Sequence, residues 1–91
     1  MSLKVVLFAN YREIAGKKDI FIDSHPSVVK DVVDELTRQF PDLIPLLFQE
    51  GELKRYVNIL IDGTSIRDTD GLFTPVRDGN EIKIFPPVSG G

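Results

Sequence analysis

The chain has no cysteine, no tryptophan and a single histidine among its 91 residues. Without thiols it can form no disulfide framework, no thiolate metal site and no Cys-ligated iron–sulfur cluster. The lone His25 stands before Pro26 at the entrance to a predicted helix, with no evident acid or nucleophile beside it, and reads as a turn residue, not a base. There is no phosphate-cradling Gly-Lys-Ser/Thr loop and no nucleophile–base constellation, so no autonomous catalytic site is expected. Asp31, Asp34 and Glu35 follow the polar arc of that helix and read as solvated, so no metal site is expected. No apolar run approaches the roughly 18 residues of a membrane span, and no basic-then-apolar leader is visible. Cytoplasmic residence without a membrane partner is the expectation. The net charge is −3 with Lys and Arg scattered, which leaves no electrostatic footprint for direct nucleic-acid binding.

What is present suits one small domain spanning residues 1–91: 42% hydrophobic and 27% charged residues, with no internal repeat. Leu3 to Ala9 alternates, Leu3, Val5, Leu7 and Ala9 falling on one parity and Lys4, Val6, Phe8 and Asn10 on the other, as in a strand with one buried face. Ile20 and Ile22 form a second strand, with Gly16-Lys17-Lys18 as the bend that makes the pair a hairpin. From Ser27 the period changes. Val28, Val29, Val32, Val33, Leu36 and Phe40 share an arc of about 140°, with Thr37 among the polar residues outside it. That predicts an amphipathic helix with Ser27 as N-cap, Asp31 at the positive end of its dipole, Arg38 at the negative end and Pro41 as its stop. Residues 41 to 53 read as a short helical turn and a loop padding the core edge. Tyr56 to Ile61 and Thr64-Ser65-Ile66 read as strands joined through Asp62-Gly63, and Glu81 to Phe85 as the last strand.

The chain closes on Phe85-Pro86-Pro87-Val88-Ser89-Gly90-Gly91. Prolines lack N–H groups and restrict φ, so Pro86 and Pro87 should end sheet pairing and project Val88, Ser89, Gly90 and Gly91 as a flexible tail over residues 86–91. Six residues reach roughly 20 Å. A glycine pair without Cβ atoms suits a channel too narrow for other residues, which makes the Gly91 carboxylate the candidate reactive group. Parity supplies a second candidate site. If Val5, Leu7, Val57, Ile59, Ile82 and Ile84 face the helix, then Phe8, Leu60 and Phe85 face the other way and can form a docking patch.

The order hairpin, helix, hairpin, turn and final strand is α+β, and with the last strand beside the first it is the β-grasp, ubiquitin-like arrangement: a mixed sheet crossed by one main helix, with an extended C-terminal tail. The chain resembles the ubiquitin-like sulfur carriers, especially the small subunit of molybdopterin synthase (MoaD type). The likeness rests on Leu7-Phe8-Ala9-Asn10-Tyr11-Arg12-Glu13-Ile14-Ala15-Gly16, on Val57-Asn58-Ile59-Leu60-Ile61-Asp62-Gly63, on Leu72 to Glu81 and, most specifically, on the tail. The related thiamine-pathway carriers are typically shorter and usually lack the double proline, which favours the molybdopterin branch. Archaeal ubiquitin-like modifiers share the tail.

The resemblance implies that Gly91 is adenylated and then converted to a thiocarboxylate that donates sulfur for molybdenum-cofactor synthesis. It implies no intrinsically bound cofactor, since ATP and Mg²⁺ belong to a separate adenylating enzyme of the ubiquitin-activating kind. The other implied partners are a sulfur donor and the large synthase subunit, joined with this chain in a heterotetramer. It also strengthens Phe8 and Phe85 as docking residues and gives Arg12 three readings: capping the first turn, pairing with an acid, or contacting the activating enzyme. Two other functions stay open. One is a protein modifier or a sulfur carrier for tRNA thiolation, using the same activation; the other is a non-catalytic β-grasp interaction domain with an inert tail.

Overall fold

A computed structural model describes residues 2–87. Its main sheet has five strands in the order β2-β1-β7-β5-β6, where β1 is Leu3–Leu7, β2 Asp19–Ile22, β5 Asn58–Ile61, β6 Thr64–Ser65 and β7 Glu81–Phe85. The last strand lies in the middle, parallel to β1 and antiparallel to β5, so the sheet is mixed as the element order predicts. The main helix α2, Val29–Gln39, crosses one face. Val5, Leu7, Val57, Ile59, Ile82 and Ile84 all turn to that face and are buried, together with Val29, Val32, Val33 and Leu36 of α2. The valines lower intrinsic helix propensity, so this packing is what holds α2 in place.

The ends of α2 differ in detail from the expectation. Its N-cap is Val28, which carries no side-chain acceptor; the Asp31 carboxylate instead accepts hydrogen bonds from the backbone N–H groups of Ser27 (3.0 Å) and Val28 (3.2 Å). Asp31 thus performs the capping expected of Ser27. Thr37, expected outside the apolar arc, is buried because its hydroxyl donates to the Val33 carbonyl at 2.9 Å and needs no water. At the other end the Phe40 N–H donates to the Leu36 carbonyl and Pro41 follows, stopping the helix where expected.

β1 and β2 pair antiparallel as expected, but the connection between them is longer than a bend at Gly16-Lys17-Lys18. It forms a helix, α1, over Ala9–Ala15, and β1 ends at Leu7, two residues earlier than the alternation suggests. Phe8 is still extended (φ −126°, ψ 156°), whereas Ala9 has φ 53° and turns the chain out of the sheet; Gly16, at φ 80°, ends the helix in the left-handed conformation that glycine adopts without strain. Tyr11 is the one residue of α1 that enters the core. Residues 41–53 hold more structure than a turn and loop. A 3₁₀ turn at Pro41–Leu43 leads into a four-residue helix, α3 (Ile44–Leu47), and a two-stranded ribbon of β3 (Phe48–Gln49) with β4 (Glu52–Leu53), while Leu43 and Leu47 pad the core as expected.

The Asp62-Gly63 turn joins β5 to β6 with both residues at positive φ (46° and 91°), the conformation a tight hairpin demands. Ile66 does not extend β6; it begins a 3₁₀ turn, Ile66–Asp68, and is buried there. The Asp62 carboxylate accepts from the Glu81 N–H (2.9 Å) and the Asn80 side-chain amide (2.7 Å), tying this hairpin to the start of β7. Among the described residues no helix is long and apolar enough to cross a membrane.

Candidate functional site

The face of the sheet turned away from α2 is built by the other parity of the same strands. Register places Val6 beside Lys83, Leu60 on the far side of Lys83, and Asn58 opposite Phe85. Phe8 follows the Leu7–Ile84 pair and so meets Phe85: their rings stand edge to face, centroids 6.0 Å apart with an interplanar angle of 86°. That is the favoured geometry of two aromatic quadrupoles. The Lys18 ammonium lies 5.8 Å from the Phe8 ring centroid, within cation–π range. Beside them runs a shallow groove of about 400 Å³, lined by Val6 and Phe8 and by the charged Lys4, Lys18, Asp19, Glu81 and Lys83. Lys4 (3.2 Å) and Lys83 (3.7 Å) both pair with Glu81 across its rim. Apolar surface framed by charge is suited to protein contact.

The structure therefore brings Phe8 and Phe85 together, whereas Lys83 stands between Val6 and Leu60 in the register, so Leu60 is a separate, half-buried apolar position on the same face. Val6 is only 5% exposed yet lies outside the helix-facing core, and Phe21, opposite Lys4 on the edge strand β2, is 63% exposed. Neither stood out in the sequence, although Phe21 alternates with the buried Ile20 and Ile22 and its outward parity could have been read. Arg12 sits exposed in the last turn of α1, where its carbonyl accepts from the Gly16 N–H.

Sheet pairing ends at Phe85, as two prolines require; Pro86 is half-buried and Pro87 exposed. Val88, Ser89, Gly90 and Gly91, the expected reactive end, lie outside the described residues. Asn58 and Arg67 are the residues that sequence reasoning missed at this edge. The Asn58 amide donates to the carbonyls of Tyr56 and Pro86, and the Arg67 guanidinium donates to the carbonyls of Arg55 and Val57. Apart from the local Asn58–Tyr56 contact, these bonds depend on which segments become neighbours, so no local pattern could have announced them.

His25 is exposed at φ 57° in the irregular segment between β2 and α2. The charged arc of α2 is satisfied among its own members. Arg38 and Gln39 hydrogen-bond Glu35 and hold its carboxyl below the usual value, while Asp34 raises the Lys30 ammonium. No group of three His, Cys, Asp or Glu side chains among the described residues could hold a metal ion.

A five-stranded mixed sheet with its last strand central and parallel to the first, crossed by one helix, is the β-grasp fold of ubiquitin-like proteins. The chain belongs to the ThiS family of ubiquitin-like sulfur carriers and modifiers, which it matches over residues 5–91. It is 37% identical to small archaeal modifier protein 3 of Haloferax volcanii, with both chains covered completely. Its fold superposes on the solution structure of small archaeal modifier protein 1 from Methanosarcina acetivorans with a TM-score of 0.88 at 41% identity, covering 99% of this chain and 96% of that one. A molybdopterin synthase sulfur carrier subunit of Arabidopsis thaliana is 32% identical over the whole of this chain and 84% of its own length.

Proposed function

We propose that this chain is a ubiquitin-like modifier and sulfur carrier that docks on its enzymes through the sheet face bearing Phe8 and Phe85 and presents Gly91 to their active sites. A free carboxylate, with a pKa near 3.5, is ionised at neutral pH and is a poor electrophile. An adenylating enzyme using ATP and Mg²⁺ corrects this. The carboxylate attacks the α-phosphorus, pyrophosphate leaves, and the resulting acyl adenylate has AMP as a good leaving group. Displacement of AMP by a sulfur donor yields a thiocarboxylate, able to supply sulfur for tRNA thiolation; transfer of the activated acyl group to a lysine amine yields an isopeptide bond.

The observation that carries this reading is the position of the Phe8–Phe85 pair: it adjoins the last ladder residue of β7, where the segment leading to Gly91 begins. A partner seated on the aromatic pair is within roughly 20 Å of the terminal carboxylate, the reach of an extended six-residue tail. Phe8 and Phe85 anchor the partner, with Leu60 at the far side of the face and Arg12 at its α1 edge. The full-length likeness to archaeal modifier proteins supports modification as the principal role.

A second reading has its own support. Full coverage by the Arabidopsis sulfur carrier subunit favours a role as the small subunit of molybdopterin synthase, assembled with a large subunit in a heterotetramer. On either reading the chain acts in the cytoplasm, where its lack of cysteine is no handicap. Intact mass of the natively expressed chain, together with identification of what copurifies, separates these roles. Proteins joined to it by isopeptide bonds support the modifier, a thiocarboxylate with a large synthase subunit supports the molybdopterin role, and an unmodified solitary chain sinks both in favour of an inert interaction domain.

A further inference from the structure

We propose that Asn58 sets the bearing on which the tail leaves the sheet, by clamping the root of the tail to the strand beside it; this rests on the activation of Gly91 proposed above. In the antiparallel pairing of β5 with β7, Asn58 and Phe85 are the last partners. To continue the ladder, the residues after Phe85 would have to donate N–H groups, and Pro86 and Pro87 have none. Pro86 and Pro87 therefore keep their carbonyl acceptors but bring no donors to the strand beside them. Asn58 supplies them. Its Nδ2 lies 3.3 Å from the Tyr56 carbonyl oxygen and 3.4 Å from that of Pro86. Both neighbours are acceptors, so only the NH₂ end of the amide can face them, and its two N–H bonds serve one strand each.

The strand to which the tail is fastened is itself held. Arg67 donates to the carbonyls of Arg55 and Val57, the second at 2.9 Å, so the segment leading into β5 is fixed by side chains where the ladder has stopped. Asn58 also stands opposite Phe85, next to the aromatic pair. A partner docked on Phe8 and Phe85 thus meets the first residue of the tail at a set position and direction. Fixing one backbone residue in advance is worth about tenfold in the rate of a step that needs it ordered.

The test compares wild type with Asn58→Leu, which keeps the branched shape and removes both donors, and Asn58→Asp, which turns acceptors toward the two carbonyls. With the adenylating enzyme encoded by the same genome, ATP-dependent acyl-adenylate formation should lose about tenfold in kcat while KM, held by the docking face, stays within about twofold. Unchanged kcat in both variants overturns the clamp, and so does a rise in KM at constant kcat, which would make Asn58 a docking residue. A second measurement needs neither enzyme nor variant. In the wild-type chain the Asn58 side-chain amide protons should exchange with solvent more slowly than those of the exposed Asn10, and equal rates reject the clamp. If wild type forms no adenylate while Asn58 is protected, the activation reading fails and the clamp stands.

Discussion

On the helix-facing side of the sheet Val5, Leu7, Ile59, Ile82 and Ile84 are cut off from water, while on the opposite side Phe8, Leu60 and Phe85, offset by one residue along the same strands, remain half-exposed. The alternation of a strand lets one short sequence carry two unrelated requirements: the inner parity is selected by packing against α2, the outer by what approaches from solution. Apolar character alone does not tell the two apart, since Phe8 and Phe85 are more hydrophobic in size than Val5. Position on the pleat does. Sheet pairing ends at Phe85, itself one of the aromatic pair on the outer side of this division.

The sharpest way to break the comparison is to truncate one residue from the inner face. Leu7→Ala or Ile84→Ala should cost about 2–5 kcal/mol, a large part of the ~5–15 kcal/mol expected for such a domain. Denaturant midpoints measure this directly, and a midpoint that does not move would mean that the faces are exchanged. The next largest effect is expected at the far end of the tail. Gly91→Ala, loss of Gly91, or one added residue should reduce adenylate and thiocarboxylate formation about a hundredfold or more by displacing the reacting carbonyl. Stability should stay within about 0.5 kcal/mol, because no core residue is touched. Normal thiocarboxylate formation by the lengthened chain would remove the terminal carboxylate from the mechanism.

Phe8→Ala and Phe85→Ala sharpen the comparison from the outer side. Each should weaken binding to the adenylating enzyme by about 2 kcal/mol or more while costing about 1 kcal/mol of stability through the lost ring contact. A double-mutant cycle on stability should return a coupling of about 0.5–1.5 kcal/mol for the edge-to-face pair. Collapse of stability in both single variants would place them in the core. A smaller change is expected at Asp31, distant in sequence from the docking face: Asp31→Ala removes the acceptor for two N–H groups at the start of α2 and should lower stability by about 1 kcal/mol, with partner affinity unchanged in an isothermal titration.

The inner face was legible because burial imposes a period: two along β1, β5 and β7, near 3.6 along α2. Turn chemistry marked the Asp62-Gly63 hairpin equally well. Helix α1 escaped notice for a physical reason. With Tyr11 alone buried it has no apolar stripe, and Leu3 to Ala9 alternates on past the true end of β1, because Phe8 is still extended when Ala9 turns away. The β3–β4 ribbon is two residues per strand, too short to show a period. At the candidate site, parity correctly put Phe8, Leu60 and Phe85 on one face, but not that Lys83 would divide Leu60 from Val6. The Asn58–Pro86 and Arg67 hydrogen bonds join residues 10 to 28 positions apart in the chain and exist only once the strands are neighbours.

Tyr11 offers the finest test of how dry the inner face is. It is the buried residue of α1, 1% exposed, and burial, followed by the nearby Tyr56, raises its phenol above the usual value of 10.0. The folded chain therefore keeps a proton that the unfolded chain releases. Its contribution is fully present below pH 10.0 and is lost as the pH rises from there through the folded-state value, since in that window ionisation favours the unfolded state. Wild type should accordingly lose stability on passing above pH 10 more steeply than Tyr11→Phe, which cannot ionise. The difference between the two denaturant-midpoint profiles isolates this group from every other, since only Tyr11 differs. Parallel profiles would show that the Tyr11 phenol stays hydrated in the fold, and that the inner side of the sheet admits water at the edge covered by α1.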